Sequence, residues 1–143
     1  MSENWIQSYI LAGKAVVAAK KLARKIIKPN ASYLEISNKC EAEILKNGCE
    51  LAFPVNLCLD SIAAHYSSPI ADSTLIPEKG LLKIDVGSHH NGYIADSAFT
   101  INLDEDPTLQ KYIDAADEGL EAAIELFNPG VKLYELGLSL IHI

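Results

Sequence analysis

The spacing of apolar residues changes from a helical to a strand-like period at Cys49, which limits the fold to classes that contain both kinds of element. Upstream, apolar residues recur every three or four positions, as is typical of amphipathic helices. This pattern predicts one helix over residues 5–27, ended by Pro29, and a second that begins after Ser32 with capping-box spacing to Glu35. Downstream, short and mostly apolar runs bounded by turn residues predict strands over residues 50–53, 56–59, 81–86 and 93–103.

Helical spacing returns after the strands. Asp106 and Pro107 suit the N-cap and first position of a helix, and apolar residues at helical steps predict that this helix continues to about Phe127. Two helices, a sheet and a further helix is the order of an α+β fold. Within it, the runs 81–86 and 93–103 are expected to form an antiparallel hairpin.

Composition excludes several classes of protein. Nineteen acidic and twelve basic side chains give the 143 residues a net charge of −7, whereas sequence-specific nucleic-acid binding usually requires a basic surplus. No apolar run approaches the roughly 20 residues that span a bilayer, and the first residues lack the layout of a secretory signal. Cys40, Cys49 and Cys58 are odd in number and have no C-x-x-C spacing, so we expect small buried residues in a reduced, cytoplasmic protein.

Asp85 and Asp96 each interrupt a run that is otherwise apolar. An ionised carboxylate is costly to bury unless a partner offsets its charge. Two aspartates eleven residues apart on a hairpin could face each other across the strands. A divalent metal held between them is one explanation, and hydrogen bonds from turn amides to one or both carboxylates are another. The pattern alone leaves both explanations open.

The other candidate residues are three histidines and one phenylalanine. His65 could serve as a general acid or base, or as a hydrogen-bond donor to a substrate, although a single histidine more often has a structural role. His89 and His90 fall in the predicted hairpin loop, where we expect exposure to solvent. Composition alone favours a core position for Phe53 over a place in a pocket.

These residues lie in motifs whose order and spacing are much more specific than any one residue. In chain order the motifs are Leu51-Ala52-Phe53-Pro54-Val55-Asn56, Ala63-Ala64-His65-Tyr66, Lys83-Ile84-Asp85-Val86-Gly87 and Asn91-Gly92-Tyr93-Ile94-Ala95-Asp96-Ser97-Ala98-Phe99-Thr100. Asn128-Pro129-Gly130 and Tyr134-Glu135-Leu136-Gly137 follow them. The series resembles the methionine aminopeptidase family, in particular its archaeal, type 2 branch. The resemblance extends over nearly the whole chain.

The resemblance implies a pita-bread fold and a metal-dependent enzyme. Members of the family remove the N-terminal methionine from nascent polypeptides whose second residue is small, with two divalent ions that activate water. By position, Asp85 would bind one ion and Asp96 would bridge both. His65 would contact the substrate near the scissile bond, and Phe53 would form a wall of the methionine pocket. Carboxylate, imidazole and water ligands accept Mn, Fe, Co or Zn, so the metal is not specified.

The resemblance also implies that residues 1–143 are the N-terminal part of a single pita-bread catalytic domain whose C-terminal half is absent. The family's histidine ligand, both its glutamate ligands and a second histidine near the substrate lie farther along the chain than Ile143. His142 follows Gly137 too closely to be the missing ligand. The almost uniformly apolar end, residues 138–143, suggests a truncated reading frame. We therefore expect the isolated chain to be inactive, to bind metal poorly and to expose the apolar sheet face that the missing half would cover.

Two other functions remain open. Proline-specific peptidases share the fold and the paired aspartates, and some pita-bread proteins lack metals and act as binding modules. A contact with the ribosome is a separate expectation, because residues 1–30 carry six Lys/Arg and one acidic residue. A first helix with Lys20, Lys21, Arg24 and Lys25 suits docking on ribosomal RNA, and a merely solvated basic face is the alternative.

Overall fold

A computed structural model describes residues 3–141, so His142 lies outside the described part of the chain. The fold is α+β, as predicted, and divides into two compact units, the first of which ends at Asp104 and the second of which begins at Glu105. The elements in chain order are α1 (Glu3–Ile26), α2 (Tyr33–Lys46), β1 (Glu50–Leu51), β2 (Asn56–Leu59), β3 (Leu81–His90), β4 (Tyr93–Asn102), α3 (Pro107–Leu126) and α4 (Leu133–Ile141).

The first two helices form as their sequences predict. α1 ends before Pro29, and its buried face is made largely of small residues, which let the helix approach its neighbours closely: Ala12, Ala15, Ala19 and Ala23. α2 begins at the predicted cap, where the Ser32 hydroxyl accepts a hydrogen bond of 3.3 Å from the Glu35 backbone N–H. Both helices contact the sheet and each other.

β3 is the central strand of an antiparallel sheet. β4 pairs along its full length, and β1 and β2 pair with its two ends. The side chains of β3 alternate between two faces, and the face toward the helices carries the fully buried Leu82, Ile84 and Val86. With residues of α1, α2 and β2 these side chains form one hydrophobic core.

The hairpin loop is shorter than the sequence predicted, and the expectation for His89 and His90 was wrong. β3 continues to His90, and only Asn91 and Gly92, both with positive φ (52° and 81°), form the turn. His89 and His90 are half-buried strand residues. The His90 ring forms a hydrogen bond of 3.1 Å with the buried Ser8 hydroxyl of α1, which explains why the strand remains ordered to this point.

The second unit contains α3 and α4. Asp106 caps α3 by accepting a hydrogen bond of 2.7 Å from the Thr108 N–H, and Pro107 occupies the first turn, as predicted. Gly119 is the buried residue of α3, and the apolar side chains of this helix are half-buried or exposed. Within residues 3–141, no helix combines the length and apolar character that crossing a membrane requires.

Candidate metal centre and substrate pocket

Asp85 and Asp96 lie on the face of the sheet opposite the helices. In the register of β3 and β4, Asp85 pairs with Ala98 and Gly87 pairs with Asp96, so the two carboxylates are diagonal neighbours on one face. Asp85 is half-buried and Asp96 is exposed. The structure therefore brings together the two residues that the sequence singled out.

The environment of Asp85 disfavours its charged form. Burial raises the pKa of Asp85, and so do the negative charge of Asp96 and a hydrogen bond between the two carboxyl groups. The His65 imidazole and the Val86 N–H oppose this rise more weakly. A carboxylate pair of this kind gains stability from any cation placed between its members.

His65 reaches the same pocket from a loop held against β2. Its φ is 68°, in the left-handed region that costs a non-glycine residue about 1–3 kcal/mol. The loop is tied to the sheet immediately afterwards, because the Leu57 N–H donates a 3.0 Å hydrogen bond to the Tyr66 carbonyl. The Tyr66 N–H in turn donates to the Cys58 sulfur at 3.3 Å. These bonds hold His65 in a strained conformation with its side chain exposed at the pocket.

Asn56 is a site residue that the sequence did not single out. It is 5% exposed and lies directly across the strands from Asp85. Its side-chain N–H groups donate to the Pro54 carbonyl at 2.9 Å and to the Ser67 hydroxyl at 2.8 Å. One buried amide thus joins the segment that contains Phe53 to the segment that contains His65. A polar residue at the start of an apolar strand was the available signal.

Phe53 lies at the pocket and is absent from the buried core, contrary to what composition alone favoured. It is half-buried, and its ring packs against β3 at Gly87. The pocket has a volume of about 420 Å³. Its lining combines apolar, amide, hydroxyl, imidazole and carboxylate groups: Phe53, Pro54, Asn56, His65, Ser67, Asp85 and Asp96.

The donor set fits part of a metal site. Carboxylate oxygens are suitable ligands for divalent ions, and among the described residues neither Asp85 nor Asp96 forms an ion pair with a lysine or arginine. Over residues 3–141, however, no group of three or more His, Cys, Asp or Glu side chains is arranged to hold a metal ion. The pair can supply two ligands, and the remaining coordination positions would need other donors.

Comparison with known sequences identifies relatives along almost the whole chain. Residues 7–141 match the profile of metallopeptidase family M24. Methionine aminopeptidases from Pyrococcus abyssi and Saccharolobus solfataricus are 42% and 38% identical, each over 137 residues. These alignments cover 94% and 96% of this chain but 45% of each relative. The chain therefore spans less than half the length of the curated relatives it matches.

Solved structures show the same fold. A methionine aminopeptidase from Thermotoga maritima superposes with a TM-score of 0.88 at 22% identity, covering 97% of this chain and 59% of that chain. The prolidase from Pyrococcus furiosus also gives a TM-score of 0.88 at 22% identity, covering 97% of this chain and 42% of that one. The predicted pita-bread fold is confirmed, and with the sequence match over residues 7–141 the chain belongs to metallopeptidase family M24.

Proposed function

We propose that the chain is the N-terminal part of a methionine aminopeptidase that removes the first methionine from nascent polypeptides whose second residue is small. The observation that carries the proposal is the convergence of Asp85, Asp96, His65 and Phe53 on one pocket. Relatives that match nearly the whole chain are methionine aminopeptidases, which supports the choice of substrate. A nascent polypeptide as substrate implies a cytoplasmic enzyme.

Each side chain of the pocket has a role in this proposal. Asp85 would hold one divalent ion and Asp96 would contribute to holding both. Bound Mn, Fe, Co or Zn would supply Lewis acidity and an activated water. His65 would donate a hydrogen bond to the substrate beside the scissile peptide bond. Phe53 would present an apolar wall to the methionine side chain. Asn56 would keep the segment that contains Phe53 and the segment that contains His65 at a fixed separation.

Residues 1–143 would supply only part of the metal site. Asp85 and Asp96 are two of the five ligands expected for two metal ions, and two carboxylates leave most coordination positions to water. We therefore propose that residues 1–143 alone bind divalent ions weakly and release no methionine. The missing donors would come from the C-terminal part of a complete enzyme.

Methionine release by a chimera tests the proposal. The chimera joins this chain to the C-terminal part of the Pyrococcus abyssi relative, and Met-Ala-Ser is the substrate. We expect release by the folded chimera and none by residues 1–143 with the same metals. Asp96→Asn should lower kcat/KM by about a hundredfold or more, whereas Asp117→Asn, an exposed carboxylate on α3, should leave it unchanged. Release by residues 1–143 alone, or a folded chimera without activity, would contradict the proposal.

A proline-specific peptidase is the second candidate, because the prolidase from Pyrococcus furiosus superposes as well as the Thermotoga aminopeptidase. Hydrolysis of Ala-Pro by the chimera, with no action on Met-Ala-Ser, would favour it. A binding module without metal is a weaker candidate, since the paired carboxylates are both present at the pocket. A folded chimera inactive on both peptides would favour the binding module.

A further inference from the structure

The Phe53 ring occupies the space that a side chain at residue 87 would need. A Cβ atom built on Gly87 would lie 2.2 Å from Cε1 of Phe53, 2.6 Å from Cζ and 2.8 Å from Cδ1. These separations are far below van der Waals contact, so the ring and any side chain at residue 87 exclude each other. The ring thus lies directly on the backbone of β3.

The backbone around Phe53 is held at three places. The Ala52 N–H donates to the Gly87 carbonyl at 3.1 Å. The Val55 N–H donates to the Glu41 carboxylate at 3.1 Å, and the Pro54 carbonyl accepts from the Asn56 amide at 2.9 Å. With its backbone fixed on both sides, the Phe53 ring can yield to a new side chain at residue 87 only by rotating away from β3, and the ring lines the pocket.

Backbone conformation does not require glycine at residue 87. Gly87 lies within a regular strand and its φ is outside the left-handed region, unlike Gly92 in the adjoining turn. An alanine would therefore be compatible with the backbone of β3. Instead, the lack of a side chain at Gly87 permits the Phe53 ring to contact the strand.

Gly87 also occupies the centre of the proposed site. It is directly opposite Asp96 and two residues from Asp85 on the same face of the sheet. Any displacement of the Phe53 ring from this position takes place beside both carboxylates. The position of the Phe53 ring on β3 therefore bears on the part of the pocket next to the proposed metal ligands.

We propose that Gly87 is a positioning residue that acts through Phe53 to set the depth of the pocket for the substrate's first side chain. This assignment rests on the proposed function. Gly87→Ala turns the Phe53 ring into the pocket. A long unbranched substrate side chain such as that of methionine then no longer fits, while a short one such as that of alanine still does.

The first experiment measures the contact itself in the 143-residue chain by NMR. The ring should shift the Gly87 Hα resonances upfield and give nuclear Overhauser effects between those protons and the Phe53 ring. In Gly87→Ala we expect nuclear Overhauser effects between the Phe53 ring and protons on the pocket side of β4. Gly13→Ala is the matched control, since a Cβ there has no neighbour within 4 Å. A folded wild-type chain without the Phe53–Gly87 contact would overturn the inference, whatever the activity of the enzyme.

The second experiment measures specificity in the chimera, with peptides that begin with methionine or alanine. Gly87→Ala should lower kcat/KM for the methionine peptide by about tenfold to two-hundredfold, the range for a mismatched methylene in an apolar pocket. The loss should appear mainly in KM. Adding Phe53→Leu to Gly87→Ala should restore much of the methionine activity, because the shorter side chain leaves room for the new methyl group.

The outcomes separate the two proposals. An active chimera whose preference for methionine over alanine is unchanged by Gly87→Ala would overturn the assignment of Gly87 alone. A folded wild-type chimera with no release of methionine would overturn the proposed function and, with it, this assignment of the pocket. A loss of methionine activity that Phe53→Leu does not reverse would also overturn the role of Gly87, because it would show a defect that does not pass through the ring.

Discussion

Cys40 lies in the contact between α1 and α2, with its sulfur 3.9 Å from the Ala19 carbonyl. Burial, and then the charges of Glu41 and Glu43, raise the pKa of its thiol to about 11. Burial also raises the pKa of Cys49, and all three cysteines are buried, as predicted. The thiolate is the reactive form of cysteine, so these residues should be inert in the folded chain.

Thiol labelling should show this inertness. Because burial raises the pKa of the Cys40 thiol well above 8, we expect very slow reaction with Ellman's reagent at pH 8 in the native chain and rapid reaction of three thiols in denaturant. The native rate should climb as pH rises toward 11. A thiol that reacts at pH 8 as fast in the native as in the denatured chain would contradict this prediction.

At single residues, the sequence predicted that Asp85 and Asp96 face each other and that the cysteines are buried, but it missed the contacts of Asn56 and Gly87. A carboxylate in an apolar strand is visible in the sequence because burying its charge is costly. The roles of Asn56 and Gly87 arise from contacts between strands and loops, namely two hydrogen bonds and one ring contact. Such contacts depend on the register of the sheet, which the apolar pattern does not specify.

Two basic side chains of α1, those of Lys20 and Arg24, contact residues of β4. The Lys20 ammonium donates to the Ser97 hydroxyl at 2.6 Å and to the Ala98 carbonyl at 3.1 Å. The Arg24 guanidinium lies 4.0 Å from the centre of the Phe99 ring. Burial, and then the charge of Arg24, lower the pKa of Lys20. These contacts hold the strand that carries Asp96.

Replacing Lys20 should destabilise the fold. We expect Lys20→Met to lower the free energy of unfolding by about 1–2 kcal/mol, because it removes two charge-assisted hydrogen bonds at a half-buried site. Lys21→Met, an exposed position on the same helix, should change it by less than about 0.5 kcal/mol. Urea denaturation followed by circular dichroism measures both values. Equal effects from the two substitutions would show that the contacts to β4 contribute nothing.

Because Lys20 and Arg24 contact β4, fewer basic side chains of α1 are left for the predicted contact with the ribosome. Lys21 and Lys25 are exposed and remain as the docking candidates. If docking occurs, Lys21→Glu with Lys25→Glu should abolish co-sedimentation of the chimera with ribosomes at low salt. The same charge change made elsewhere, as Lys79→Glu with Lys111→Glu, should not. Equal binding by both double variants would argue against docking through α1.

At the scale of elements, α1, α2 and α3 were predicted within a few residues, and the antiparallel hairpin was predicted with too long a loop. Helix ends carry local signals, such as the Ser32 cap and Pro29, that act within a few residues. The sequence instead placed a loop after Val86, because Gly87 and the histidines break the apolar run. Ser88 stays in the strand because its buried hydroxyl donates to the Ala12 carbonyl of α1 at 2.8 Å. No local rule anticipates a partner 76 residues away.

Over the described residues, large apolar side chains are exposed in both units, and the second unit has many of them for its length. Phe127 is 71% exposed and Leu133 is 81% exposed, and several other large apolar side chains of this unit are exposed as well. Contiguous apolar surface favours association between proteins. These residues belong to the helical unit, so the expectation that the sheet face is left uncovered stays a prediction.

Self-association tests the exposure of the second unit. We expect the mass measured by light scattering to rise with concentration, and Phe127→Ser with Leu133→Ser to reduce that rise. Ile70→Ser is the control, since Ile70 is 99% exposed but lies in a loop of the first unit. A wild-type chain that is monomeric at all concentrations would show that the exposed apolar residues do not drive association.

The two-residue turn at Asn91 and Gly92 has a consequence for how this hairpin can vary. Side chains alternate along a strand, so removing one residue of β4 before Asp96, with the turn unchanged, would move every following side chain of β4 to the other face. Asp96 would then face α1, and Ser97 would take its place beside Asp85. Length changes within the paired strands that leave the turn unchanged are therefore compatible with the carboxylate pair only in steps of two, whereas extra residues in a longer turn leave the register intact.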